Sequence, residues 1–286
     1  MTSKLNLQTL YFSKRLADDL ENIKKYSLTV IEAPSGFGKT TALVNFFSQK
    51  YFDGIRVLKR TFFFGDIFEY WQWLCKLLER VDRISADALR NCGAPSDDNM
   101  SDIGEIMSDI ESAEETYILL DNLNGLCEGM GDFLTALSFL CAEKLHIVAS
   151  VQSSSSKNSS RFRSGRHVYY MGTGDFSFTR DDCRRYFSEA GIILTNDEVS
   201  ELMKITDGWI FAMYLQLLFY AKNKRFEKGI LSTLIEKAFF ERLSDSECRF
   251  FESLSPFKSF TKHAASFVSG RSPEFVGEYL SEGGFI

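Results

Sequence analysis

The chain has 286 residues, 44% of them hydrophobic and 14% aromatic, enough apolar material for a substantial core and for two or three domains. Its 33 basic and 39 acidic residues give a formal charge of −6, which argues against a general binder of the nucleic-acid backbone and leaves room only for a local basic patch. Six scattered cysteines without a C-x-x-C pair or a histidine at zinc spacing exclude a disulfide scaffold and a zinc knuckle, and reduced thiols in a cytoplasmic setting are expected.

The N-terminal run MTSKLNLQTLYFSKRL has no signal-peptide character, and no later run approaches the length of a membrane span, so no membrane partner is expected. From Leu10 to Tyr26, apolar residues at Leu10, Phe12, Leu16, Leu20 and Ile23 have the spacing of an amphipathic helix or two short turns. The cluster Ser13, Lys14, Arg15 has two readings: Arg15 beside a bound nucleotide, or a solvated charged face.

Leu28–Ala33 reads as a strand buried on both faces. It runs into Ala33, Pro34, Ser35, Gly36, Phe37, Gly38, Lys39 and Thr40, a P-loop pattern with Ala in place of the first Gly. Gly36 and Gly38 can bend the backbone so that successive N–H groups face a phosphate, and the helix that follows adds its positive end. Lys39 is expected to reach the β- and γ-phosphates and Thr40 to put its hydroxyl on a phosphate-bound Mg²⁺, with Thr41 opening the helix. The competing reading is a Gly-rich turn with a surface lysine.

Ile55–Phe64 predicts a second strand and 66–81 a helix, whose Trp71 and Trp73 are read as core or interface. A loop and a weaker helix are predicted over 85–108. Thr116–Leu123 is a buried-strand pattern carrying Asp121 near its end, where a neighbouring strand of a P-loop sheet holds its Mg²⁺ acid. The next residue, often a second acid that orients water, is Asn122, and an amide cannot serve as that base. Gly131–Glu143 predicts a helix, Leu145–Val151 a strand, 152–165 an exposed Ser-rich loop made positive by Arg161, Arg163 and Arg166, and His167–Met171 a last short strand.

Phe178–Ala190, Asn196–Thr206, Trp209–Tyr220 and Leu231–Leu243 predict helices, and the tail predicts a winged-helix-like unit that stops partway. The expected fold is α/β: a P-loop NTPase parallel sheet over 1–172, a helical domain over 173–236 and a partial winged-helix-like unit over 237–286.

With these motifs placed, the chain resembles the N-terminal part of the maltose-regulator-like branch of STAND signal-transduction ATPases, large bacterial regulators ending in a LuxR-type DNA-binding domain. The likeness rests on the RL pair at Arg15 and Leu16, APSGFGKTT, YWQWL, LLDN, LHIVASV, FSFTRDD, DGWIFAMYLQLL and FFERLSDSECRFFESLSPF, in that order. It implies a sheet domain, a helical domain and a winged helix closing around ADP, opened by inducer and ATP for self-association. It implies Gly36, Gly38, Lys39, Thr40 and Thr41 on phosphates and Mg²⁺, and Asp121 as the Walker B acid. It also implies a sensor and a DNA-binding domain beyond residue 286, with no DNA contact by this portion.

Three positions depart from the family pattern: Asn122 for a second acid, Gln152 for an arginine closing the next strand, and Arg180 for a proline after Phe178-Thr179. The first two weaken hydrolysis more than binding. The expected function is an ATP- or ADP-binding switch with slow or absent hydrolysis; the alternatives are a small-molecule phosphotransferase and an interaction scaffold without nucleotide. No N-K-x-D stretch supports a GTPase.

Overall fold

The computed structural model describes residues 6, 10–62, 65–125, 127–152, 167–227, 229, 245–257, 261–273 and 276. The chain divides into two compact units, Met1–Lys222 and Asn223–Ile286.

The first unit is built on five parallel strands, β1 (Leu28–Ala33), β2 (Arg56–Thr61), β3 (Thr116–Asn124), β4 (Leu145–Gln152) and β5 (Val168–Met171), in the order β2-β3-β4-β1-β5. This is the α/β fold that the buried runs predict: every residue of β1 is buried, as are the first six of β3 and the first seven of β4. β4 lies between β1 and β3, so the strand carrying Asp121 is not the neighbour of the P-loop strand but stands one strand further out. Strand order follows from long-range pairing, which no local pattern records.

Helices cover both faces. α1 (Lys14–Leu20) and α2 (Lys39–Phe47) pack Leu16, Leu20, Leu43 and Phe46 against Ile31, Tyr117 and Val148. α3 (Ile67–Leu78), α4 (Arg83–Cys92), α5 (Met100–Asp109) and α6 (Met130–Ser138) bury Trp71, Leu74, Ile103 and Phe133 on the other face, against Ile118, Leu120 and Ile147. Trp71 is core as expected, its indole N–H donating to the Leu89 carbonyl at 3.1 Å; Trp73 is half-buried under the Arg60 guanidinium, 3.7 Å from the ring centre. The stretch 85–108 holds most of two helices, α4 and α5, rather than a loop and one weak helix. The Asp82 carboxylate caps α4 through the N–H groups of Ile84 and Ser85, and few apolar side chains are needed to seat it.

After β5 come a short α7 (Thr173–Phe176), α8 (Arg180–Glu189), α9 (Asn196–Thr206) and α10 (Ile210–Asn223). Thr179 with Asp182 and Thr195 with Glu198 form reciprocal capping boxes that start α8 and α9 where the sequence predicts helices. In the second unit α11 (Asp245–Leu254) and α12 (Lys262–Ser269) bury Phe250, Leu254 and Ala265 together. The predicted helix over 231–243 and the loop arginines 161, 163 and 166 lie outside the described residues, as does much of the tail read as a winged helix.

Candidate functional site

β1 ends at Ala33 and the chain turns through Pro34–Gly38 into α2. Gly36 (φ 80°) and Gly38 (φ 76°) are left-handed, the conformation that aims consecutive N–H groups to one side, and Gly38 is the N-cap of α2. The loop therefore offers a concave set of donors at the positive end of a nine-residue helix, an arrangement suited to phosphate. Lys39, 8% exposed, donates to the carbonyls of Ala33 at 2.5 Å and Pro34 at 3.0 Å. Burial pushes its ammonium down to about 8, opposed by the nearby Asp121 carboxylate.

Asp121 is wholly buried at the C-terminal end of β3, and the Thr40 hydroxyl donates to its Oδ1 at 3.1 Å. The structure thus brings Lys39, Thr40 and Asp121 into one group, across the intervening β4. Its other oxygen, Oδ2, is buried without a hydrogen-bond donor among the described residues. Two hard oxygen donors and an orphaned carboxylate oxygen suit a magnesium ion, and Thr40 and Asp121 are the residues that would hold it. No group of three or more His, Cys, Asp or Glu suited to a metal occurs among the described residues, so such an ion would draw its remaining ligands from phosphate and water.

Asn122 sits at a register shift between β3 and β4 with φ 64°, a left-handed backbone that asparagine tolerates. Its amide donates to the Phe62 carbonyl at 2.6 Å, and the Phe62 N–H returns to the Asp121 carbonyl at 2.9 Å. The side chain at the second-acid position is therefore bound to the end of β2. Gln152 ends β4 and is exposed. Arg15 is committed elsewhere: its guanidinium donates to the carbonyls of Gly174 at 3.0 Å and Ser177 at 2.9 Å, tying α1 to the α7 segment.

Beside the P-loop lies a cavity of about 650 Å³. Gly36, Gly38, Thr41 and Ala42 form one wall, Leu10, Tyr11, Phe12 and Leu16 a second, and Phe178, Tyr186, Ile210, Phe211 and Tyr214 a third. Its volume and its apolar, aromatic lining match a small-molecule site. Burial and the Asp182 carboxylate push the Tyr11 phenol up to about 12, and burial does the same at Tyr186, so both hydroxyls stay protonated. The Tyr11 hydroxyl donates to Asp182 Oδ1 at 2.9 Å, which fixes the N-terminal segment to the capping box of α8.

The third wall also grips the loop directly. The Trp209 indole N–H donates to the Ser35 carbonyl at 3.1 Å, and the Phe211 N–H donates to the Gly36 carbonyl at 3.0 Å. Phe37 tilts against Trp209 with ring centres 6.4 Å apart. A Cβ on Gly36 would lie 2.6 Å from the Trp209 Nε1 and 3.0 Å from the Phe211 Cβ, so this approach requires glycine there. Sequence reasoning assigned no role to Trp209, Phe211 or the aromatic lining; the only signal was the DGW run, recognised as a pattern without a contact.

No family model matches the chain. It is 26% identical over 220 residues to the serine/threonine-protein kinase PknK of Mycobacterium tuberculosis (strain ATCC 25618 / H37Rv), a match covering 73% of this chain and 20% of that protein. The chain thus spans about a fifth of the length of the curated relatives it matches. Among solved structures it is similar to a Signal Transduction ATPase with Numerous Domains carrying a tetratricopeptide repeat sensor from Pyrococcus horikoshii, with TM-score 0.48, 16% identity, and 98% of this chain and 40% of that one covered. It is also similar to the Aeropyrum pernix Orc1 protein in complex with DNA, with TM-score 0.49, 12% identity, and 95% and 81% covered.

Proposed function

We propose that the chain is an adenine-nucleotide switch module of a larger signal-transduction regulator of the LuxR-type transcriptional class. In this reading ATP or ADP sits with its phosphates on Ser35, Gly36, Phe37, Gly38, Lys39, Thr40 and Thr41, its base and ribose in the apolar cavity, and Mg²⁺ on Thr40 and Asp121. Arg15 supports the site by holding α1 in place. The ion would neutralise phosphate charge.

The observation that carries the reading is the pair of hydrogen bonds from Trp209 and Phe211 to the backbone of Ser35 and Gly36. Any movement of the loop on binding phosphate must be felt by the segment that opens α10. That is the requirement for a nucleotide to bias helical packing and, through it, self-association.

Hydrolysis is slow or absent in this reading. Asn122 cannot take a proton from water and its amide is bound to Phe62, and Gln152 carries no charge to place on a γ-phosphate. DNA contact belongs to another part of the regulator, and the module works in the cytoplasm. No helix among the described residues is long and apolar enough to cross a membrane.

Isothermal titration with ADP, ATP and GTP tests the proposal. ADP and ATP are expected to bind, GTP more weakly, and Lys39→Ala to abolish the heat. Absence of binding, or turnover like that of a committed ATPase, would overturn it.

A further inference from the structure

Asp121 poses an electrostatic problem that the P-loop, through the Thr40 hydroxyl and the nearby Lys39 ammonium, solves only in part. The carboxylate is wholly buried, Thr40 serves only Oδ1, and Oδ2 has no hydrogen-bond donor among the described residues. An unpaired buried carboxylate oxygen is costly, so a positive charge should stand near it. Lys39 is the obvious candidate, yet its Nζ is turned to the carbonyls of Ala33 and Pro34.

The charge that faces Oδ2 comes from β2. Lys59 lies opposite Leu119 in the β2–β3 register, two residues before the Thr61–Asp121 pair, so it shares a sheet face with Asp121. Its Nζ is 3.6 Å from Oδ2, too long for a hydrogen bond and short enough for an ion pair. The side chain is 37% exposed, so it reaches the acid from solvent along its apolar stem and can swing back out.

We infer that Lys59 is the resident counter-ion of Asp121, the charge that a divalent cation must displace before it can use the carboxylate. This rests on the nucleotide reading above and adds a positioning residue on an edge strand, remote in sequence from the P-loop. Its consequence is graded. With Lys59 in place the acid is partly neutralised without metal, so Mg²⁺ must compete for it and acts only at higher concentration; without Lys59 the acid is left bare and Mg²⁺ is drawn in more tightly.

Two measurements test this. In the first, ADP binding is titrated calorimetrically from EDTA through millimolar Mg²⁺ for wild type, Lys59→Met and Lys59→Arg. Lys59→Met is expected to lower the half-saturating Mg²⁺ by about fivefold or more, since one nearby like charge has been removed, while Lys59→Arg follows wild type. In the second, the nucleotide-free protein is unfolded in urea as wild type, Lys59→Met, Asp121→Asn and the double variant. Lys59→Met should lower the midpoint when Asp121 is present and leave it unchanged beside Asn.

ADP binding with the same Mg²⁺ dependence in wild type and Lys59→Met overturns the inference, and so does an additive cycle. If wild type binds no ADP while the cycle is non-additive, the nucleotide reading falls and the Lys59–Asp121 counter-ion pair stands. If neither ADP binding nor non-additivity is seen, both fall.

Discussion

The Trp209 indole N–H donates to the Ser35 carbonyl at 3.1 Å, joining a residue at the mouth of α10 to the bend of the P-loop 174 positions earlier. Trp209→Ala removes that bond and the packing on Phe37 and Phe211. A stability loss of about 1–3 kcal/mol is expected in urea unfolding of the nucleotide-free protein, with Trp209→Phe losing less, about 1 kcal/mol, because the donor goes but most of the ring packing stays. Gly36→Ala should weaken ADP binding severalfold as well, since its methyl meets the indole and its backbone is left-handed. Unchanged stability in Trp209→Ala would refute the clamp.

Lys39 sets a pH dependence. Burial pushes its ammonium down to about 8, whereas a phosphate facing it would favour the charged form. Below that pH the lysine is already charged and ADP affinity should be flat. Above it, each binding event must take up a proton, so affinity should fall by up to about tenfold per pH unit. Calorimetry at pH 9 in two buffers of different protonation enthalpy would register the proton uptake; flat affinity from pH 7 to 9.5 would contradict it.

Asn122 is expected to be structural. Asn122→Ala loses the bond to Phe62 and places alanine at φ 64°, costing about 1.5–3 kcal/mol. Asn122→Asp turns a carboxylate against the Phe62 carbonyl, so it should destabilise without raising ATP turnover. A large gain in turnover in that variant, read by phosphate release, would show that the acid can leave Phe62 and reach the nucleotide.

Thr40→Val separates metal from phosphate. ADP binding in EDTA should stay within about twofold of wild type, because the backbone cradle and Lys39 are intact. The gain in affinity on adding Mg²⁺ should disappear, since the hydroxyl that both binds Asp121 and would face the ion is gone. Survival of the full Mg²⁺ gain in calorimetry would exclude Thr40 as a metal ligand.

The parts of the site that sequence made legible are those whose contacts are local. Gly36, Gly38, Lys39 and Thr40 are consecutive or nearly so, and a strand, a bend and a helix must follow in that order to use them. Asp121 was found because a buried strand carries it. The partners of these residues were not legible, because the sheet supplies them: β4 intrudes between β1 and β3, and Lys59 meets Asp121 only through the β2–β3 register. Trp209 and Phe211 reach the loop through the fold of the helical segment, and their aromatic character alone is that of any core residue. Over 85–108 the sequence showed one weaker helix and a loop where the structure has most of two, because α4 buries only Ala86 and Leu89 and α5 only Ile103 and Met107, among many polar residues.

Gly36 is asked to satisfy two surfaces at once. One side of its peptide is shaped for an anion, and its carbonyl is held by the Phe211 N–H. Binding free energies linked through a shared element are reciprocal: whatever factor a nucleotide contributes to the grip of Trp209 and Phe211 on the loop, that grip returns to the nucleotide. If the proposed switch holds, a ligand that never touches the phosphates would release nucleotide simply by drawing α10 away, and a tighter hold on nucleotide would make that ligand bind more weakly.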